Sequence, residues 1–258
     1  MNKLSSVHPE AKIGENVIIE AFAYVAKDVV IGDGTWIGPT AVIMDGARIG
    51  KNCKIFPGAV VSAIPQDLKY QGENTTAEIG DNTTLRECVT VNKGTAAKNK
   101  TVVGNNCLIM AYAHVAHDCI LKNNVIIGNS VNLAGEVEVD DFAIVSAMSG
   151  VHQFVRIGKH AFVQGVSKVG KDVPPYVLAG RDPLSYAGLN SVGLRRKGFT
   201  NDQINEIQEF YRTIYQKGMN TSDAIKHIEE NFADSTYKTE IVTFIKNSPR
   251  GIIKGLLD

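Results

Sequence analysis

From Val7 to Val169 every sixth residue belongs to one reading frame, and 25 of its 28 positions are Ile, Leu or Val. A helix needs apolar spacing near 3.6 and a plain strand needs spacing of 2. A period of six suits neither as one long element. It suits a short strand and a turn, repeated, with each strand forming one face of a coil. Hexapeptide repeats of this kind are a signature of parallel β-helices. Three units of six make a triangular coil of about 18 residues, so the frame builds about nine coils. At the usual strand spacing the prism is about 40–45 Å long.

The fifth position of each unit is small or β-branched, as in Val17, Ala23, Val29, Thr35, Ala41, Ala47, Cys53 and Ala59, and again in Cys107, Ala113 and Cys119. Three of the four cysteines therefore read as buried packing residues, and the spacings of all four match no zinc pattern. Aromatic residues make up only 7% of the chain, so the core must be built from β-branched and small side chains. The pattern resembles the left-handed β-helix family. The hand comes from that resemblance, because the general preference for right-handed crossovers predicts the opposite.

Charge excludes some functions. With 27 basic and 27 acidic residues, nothing marks a general nucleic-acid binder. No stretch of about 18 uncharged apolar residues exists, so no membrane span is expected. The first residues lack an apolar run of signal-peptide length, and the expected location is the cytoplasm.

Three frame positions fail: Asp67, Glu73 and Ala97. They lie in polar, Gly-containing stretches, which read as loops thrown outward near 62–78 and 92–102. Insertions of this kind often carry the binding face of a solenoid. The repeat fades after Val169. The expected division is a β-helix over 1–180 and a linker with a small all-helical domain over 181–258, the linker reaching about Lys197. Thr200 and Gln203 offer a capping box, followed by Ile204, Ile207, Phe210, Tyr211 and Ile214 at helical spacing. Further helices fit Ser222 to Phe232 and Thr236 to Ile245.

The sharpest chemical feature is the run from Ala113 to Cys119, which holds His114, His117 and Asp118 around the inward Val115. Neither histidine occupies a core position. Residues 18 apart should stack, which puts Gly135 above His117, Gln153 above Gly135 with His152 beside it, and Asn132 above His114. An imidazole, a glycine and an amide along one edge suit acyl transfer. A neutral histidine takes a proton from an alcohol, and a glycine leaves its backbone N–H open to an oxyanion. Asp118 either orients His117 or is a solvated corner residue.

The runs PQDLKYQGE at 65–73, AYAHVAHDC at 111–119, LAGEVEVDDFAI at 133–144, VHQFVRIG at 151–158, DVPPYV at 172–177 and GLRRKGF at 193–199 together resemble the acyl-[acyl carrier protein]–UDP-N-acetylglucosamine O-acyltransferase family over nearly the whole chain. The resemblance implies an enzyme that opens lipid A synthesis by moving a 3-hydroxyacyl group from acyl carrier protein to UDP-N-acetylglucosamine, as a homotrimer, with no cofactor or metal. It makes His117 the general base and Gly135 the oxyanion residue. Asp67, Lys69, His114, His152 and Gln153 become substrate-binding, Asn190 and Arg196 nucleotide contacts, and Gly165 a limit on acyl length. It also implies that the 62–78 loop reaches a neighbour's cleft. Glu136, Phe162, Val192 and Lys197 depart from the family pattern. Three other readings stand beside this one. They are a hexapeptide N-acyltransferase acting on a sugar nucleotide, a zinc hydratase built from His114, His117 and His152, and a non-catalytic solenoid.

Overall fold

The computed structural model describes residues 3–255. Its strands, most of them two residues long, form three sheets of nine, eight and ten members among the described residues. Pairing within the sheets is parallel, except for the last pair, Val177–Gly180 with Ser185–Leu189. Successive strands pass from the first sheet to the second to the third and back, so the chain winds as a three-sided prism.

The register is the six-residue frame made visible. In the first sheet Val7 pairs with Val25, Val115 with Leu133, and Leu133 with Val151, each 18 apart. The frame residues point inward, and Val25, Ile37, Ile43, Val115, Leu133 and Val145 are fully buried. Burying one such side chain is worth about 1.5–3 kcal/mol, so the stacked rows dominate the stability of the prism.

Both expected loops interrupt the stack without breaking the frame. From Val61 to Ile79 the chain takes eighteen positions to reach the next face instead of six. From Val91 to Val103 it takes twelve. The insertions are whole multiples of six, which is why the apolar rows resume in phase. The 18-residue stacking rule does fail across them: Val61 faces Val91, and Val91 faces Val115.

Where the second sheet turns into the third, Asx side chains cap the corner N–H groups. Asp33 accepts from Glu15 at 2.9 Å, Asn105 from Asp81 at 2.7 Å, and Asn123 from Asn105 at 2.9 Å. At the fifth positions, the buried Cys107 and Cys119 thiols are pushed by burial to about 11 and about 12, so they are inert packing groups.

Helices follow the prism. The stretch expected to be a linker contains a strand, Ser185–Leu189, and a short helix α1 (Ser191–Arg196). No periodicity announces α1, because Leu194 is its one buried residue and Asn190 caps it from outside. Helix α2 (Asn201–Gln216) begins at the expected capping box, with both Thr200–Gln203 bonds formed. Helix α3 (Thr221–Asn231) and helix α4 (Thr236–Lys246) lie within a residue of the expected spans. The Tyr211 hydroxyl donates to Pro175 O at 2.6 Å, and Tyr176 donates to Glu240, tying the helices to the end of the prism. No helix among the described residues is long and apolar enough to cross a membrane.

Candidate active site

The first sheet presents alternate side chains outward, and at its far edge the chain turns toward the second sheet. His114 faces out from the strand His114–Val115, and His117 sits at the turn two residues beyond the inward Val115. The 18-residue stack brings Gly135 directly over the His117 ring. A Cβ at position 135 would lie 2.5 Å from His117 Nε2 and 2.6 Å from Cε1. Glycine is required here for clearance as well as for an open backbone N–H. At the equivalent turns of the second sheet, several corner N–H groups are capped by Asp or Asn. Among the described residues the Gly135 N–H has no protein acceptor.

Asp118 is fully buried, which removes the solvated-corner reading. Its Oδ2 lies 2.8 Å from His117 Nδ1. The backbone N–H groups of Thr95 and Lys98 donate to Oδ1 at 3.0 and 3.1 Å, and the Thr95 hydroxyl reaches Oδ2 at 2.6 Å. Burial raises the Asp118 carboxyl, but the hydrogen bonds from Thr95, His117 and Lys98 outweigh it and hold the group below its ordinary value. An ionised carboxylate only accepts, so Nδ1 of His117 carries the proton. In the neutral ring Nε2 then holds a lone pair, facing Gly135 and the cleft.

The cleft above this edge encloses about 670 Å³ and is lined by His114, His117, Asn132, Gly135, His152 and Gln153. The six residues that stacking predicted for this edge are therefore together. Burial, and then the neighbouring His117, lower the His114 imidazole, and its Nδ1 lies 2.7 Å from Thr90 Oγ1. Asp67 comes over from the 62–78 loop, with Oδ2 3.9 Å from His117 Nε2. This contact lies within one chain, so the loop covers its own His117, contrary to the expectation that it serves a neighbour's cleft.

The other expected residues lie elsewhere. Lys69 is exposed on the loop, its N–H donating to Asp67 Oδ1 at 3.0 Å. Gly165 is at the turn from the third sheet into the first, the opposite edge of the first sheet. Asn190 caps α1 through Gly193 N and donates to His160 O at 3.0 Å, while Arg196 is exposed at the end of that helix. Both lie beside the edge between the second and third sheets. Gln66, Lys168 and Gly170 also line the cleft and were not expected. Gln66 had a readable signal, being next to Asp67 in the projecting loop. Lys168 is the outward residue of a repeat unit and looks like any solvated lysine.

Two family models match the chain. One is described as UDP N-acetylglucosamine O-acyltransferase, domain 2, over residues 172–253, and the other as bacterial transferase hexapeptide (six repeats), over 28–63 and 100–135. An acyl-[acyl-carrier-protein]–UDP-N-acetylglucosamine O-acyltransferase from Aliivibrio fischeri is 46% identical, covering 98% of this chain and 100% of the relative. One from Janthinobacterium sp. is 43% identical over 76% of this chain and 77% of the relative. The crystal structure of a UDP-N-acetylglucosamine acyltransferase from Bacteroides fragilis is similar with a TM-score of 0.97 at 53% identity, covering 98% of this chain and 100% of that one. The corresponding enzyme from Francisella novicida gives 0.95 at 40% identity, covering 98% and 93%. Similarity of this extent runs through prism, loops and helices alike, and the chain belongs to the acyl-[acyl-carrier-protein]–UDP-N-acetylglucosamine O-acyltransferase family.

Proposed function

We propose that His117 is the general base of an acyl transfer carried out in the cleft on the first sheet. The chain is an O-acyltransferase of UDP-N-acetylglucosamine, the enzyme of the first step of lipid A biosynthesis. One observation carries the assignment of roles. Nδ1 of His117 is tied to a buried, ionised Asp118, which leaves Nε2 as the acceptor in the cleft.

In this reading Nε2 takes the proton from the sugar 3-hydroxyl as its oxygen attacks the thioester carbonyl of a 3-hydroxyacyl carrier protein. The oxyanion that forms receives the open N–H of Gly135. Collapse breaks the carbon–sulfur bond, and the imidazolium returns its proton to the leaving thiolate. The products are the 3-O-acyl nucleotide sugar and the free carrier thiol. Asp67, beside Nε2, accepts from the sugar and holds the hydroxyl in line. His114, His152 and Gln153 line the path of the substrates.

A homotrimer belongs to the same proposal. His117, Gly165 and the Asn190–Arg196 pair sit by three different edges of one prism, so a single chain cannot bring them to one substrate. Packing faces about a threefold axis sets an edge of one copy against the cleft of the next. The edge between the third and first sheets exposes Phe22, Tyr112, Met148 and Val166, the last 75% exposed, which suits burial by a neighbour.

The test is product mass spectrometry on UDP-N-acetylglucosamine with a ladder of 3-hydroxyacyl carrier proteins. His117→Ala is expected to lose a factor of about 10²–10⁴ in turnover while staying folded. Near-normal turnover would remove His117 as the base. Faster acylation of an amino sugar nucleotide than of UDP-N-acetylglucosamine would favour N-acyl transfer instead.

A further inference from the structure

No residue of the insertion between the strands Thr90–Asn92 and Lys100–Val103 lines the cleft, and the repeat does not need it. Its contacts converge on one group. Thr95 N–H and Lys98 N–H donate to Oδ1 of Asp118, at 3.0 and 3.1 Å, and Thr95 Oγ1 lies 2.6 Å from Oδ2. The direction of the last bond is settled by a neighbour: Ala97 N–H donates to Thr95 Oγ1 at 3.2 Å, so the hydroxyl proton is free to point at the carboxylate. On its other side the Asp118 N–H donates to Thr101 Oγ1 at 2.8 Å. Oδ2 is also the atom that holds His117 Nδ1, at 2.8 Å.

We propose that this insertion is an anion clamp for Asp118, and that Thr95 is a positioning residue for the transfer, its hydroxyl fixing the carboxylate oxygen that fixes His117. The inference rests on His117 being the base. The physical reason is rotational. A carboxylate held only by His117 can turn about its Cβ–Cγ bond, and the ring then follows. With backbone donors on Oδ1 and a hydroxyl on Oδ2, each oxygen has its own partner and the plane is set. Charge-assisted bonds of this kind are short and strong, and three donors from one small insertion replace the water that a buried anion has lost.

The clamp also sets how basic Nε2 is. Thr95 draws charge from the oxygen that would otherwise stabilise an imidazolium. The other groups facing this pair are few. Asp67 approaches Nε2 from the first loop, and His114 lies on the same sheet. Glu136 is on the coil above, its N–H bonded to His117 O at 3.0 Å. The Lys98 ammonium is turned away to Glu138 at 3.1 Å, and Cys119, next in the chain, has its thiol pushed up to about 12 by burial. None of these reaches Asp118 Oδ2.

Thr95→Val keeps the shape and deletes the hydroxyl. It is expected to lower kcat on the order of tenfold, with KM for UDP-N-acetylglucosamine nearly unchanged. The acid limb of its kcat/KM profile is expected to move to higher pH, because more of the Asp118 charge falls on His117. Thr95→Ser, which keeps the hydroxyl, is expected to restore both. A merely structural threonine would change the yield of folded enzyme without moving the acid limb. If Val is not tolerated, Thr95→Ala tests the same expectation against Thr95→Ser. Wild-type kcat and an unmoved limb in the hydroxyl-less variant, with His117→Ala inactive, would overturn the clamp and leave the base standing. An active His117→Ala would overturn both.

Discussion

At the scale of single residues, this site is built by exclusion as much as by placement. Gly135 is in an ordinary backbone region, so its lack of a side chain serves the ring above which it stacks. Gly135→Ala would set a methyl 2.5 Å from Nε2, while the ring is held on its other side by Asp118. The ring must tilt, and a displacement of about 1 Å in a reacting group can cost on the order of a hundredfold in rate. The expected outcome is a loss of that size in kcat with little change in the unfolding temperature. A variant with normal kcat would show that the ring is free to move without consequence. The stacking of Gly135 on His117 and of Asn132 on His114 was legible in the sequence, because no loop intervenes between those coils. The burial of Asp118 was not legible, because its donors, Thr95 and Lys98, lie within an insertion some 20 positions earlier.

At the scale of elements, α1 is fastened to the prism through an aromatic stack. The His160 ring lies flat on Phe142 with centroids 4.8 Å apart and stacks on Tyr176 at 5.8 Å, while Phe199 meets it edge-on. The Lys197 ammonium lies over the Phe142 ring, 4.8 Å from its centroid. Burial, then Lys159 and Lys197, lower the His160 imidazole to about 4. Unfolded, the same imidazole protonates near 6.5. Between those values the unfolded chain holds a proton that the folded chain does not, so stability falls as the pH drops from about 6.5 to about 4 and levels off below. The full displacement is worth about 3 kcal/mol. His160→Phe retains the stack and has nothing to protonate. Urea unfolding at pH 7 and at pH 4.5 is expected to show a smaller loss on acidification in the variant than in the wild type. Equal losses would mean that His160 is not the group responsible.

At the scale of the whole molecule, the question is which chain supplies which part of a site. Asp67 and His117 lie 3.9 Å apart in one chain. In a trimer, each cleft then takes both residues from the same copy. Asp67→Ala and His117→Ala subunits, refolded together, are expected to form hybrid trimers and recover no activity, since every cleft lacks one residue or the other. Differently tagged subunits and light scattering check that hybrids and trimers are present. Recovered activity in verified hybrids would mean that the loop crosses to a neighbour.

The sequence by itself determined the prism, its three inward rows, the two projecting loops, the capping box of α2 and the cluster of His114, His117, Gly135, His152 and Gln153. The capping box is a local pattern of two side chains; the rest follow from periodicity, which acts over one coil and repeats. Only the tertiary structure decided what the loops touch. The insertion after Val91 closes on Asp118 and the loop at 62–78 closes on its own chain's His117, while Asn190 caps α1 with its amide. An outward loop breaks the fixed vertical spacing of the coil, and once that spacing is broken no residue count says where its side chains will land.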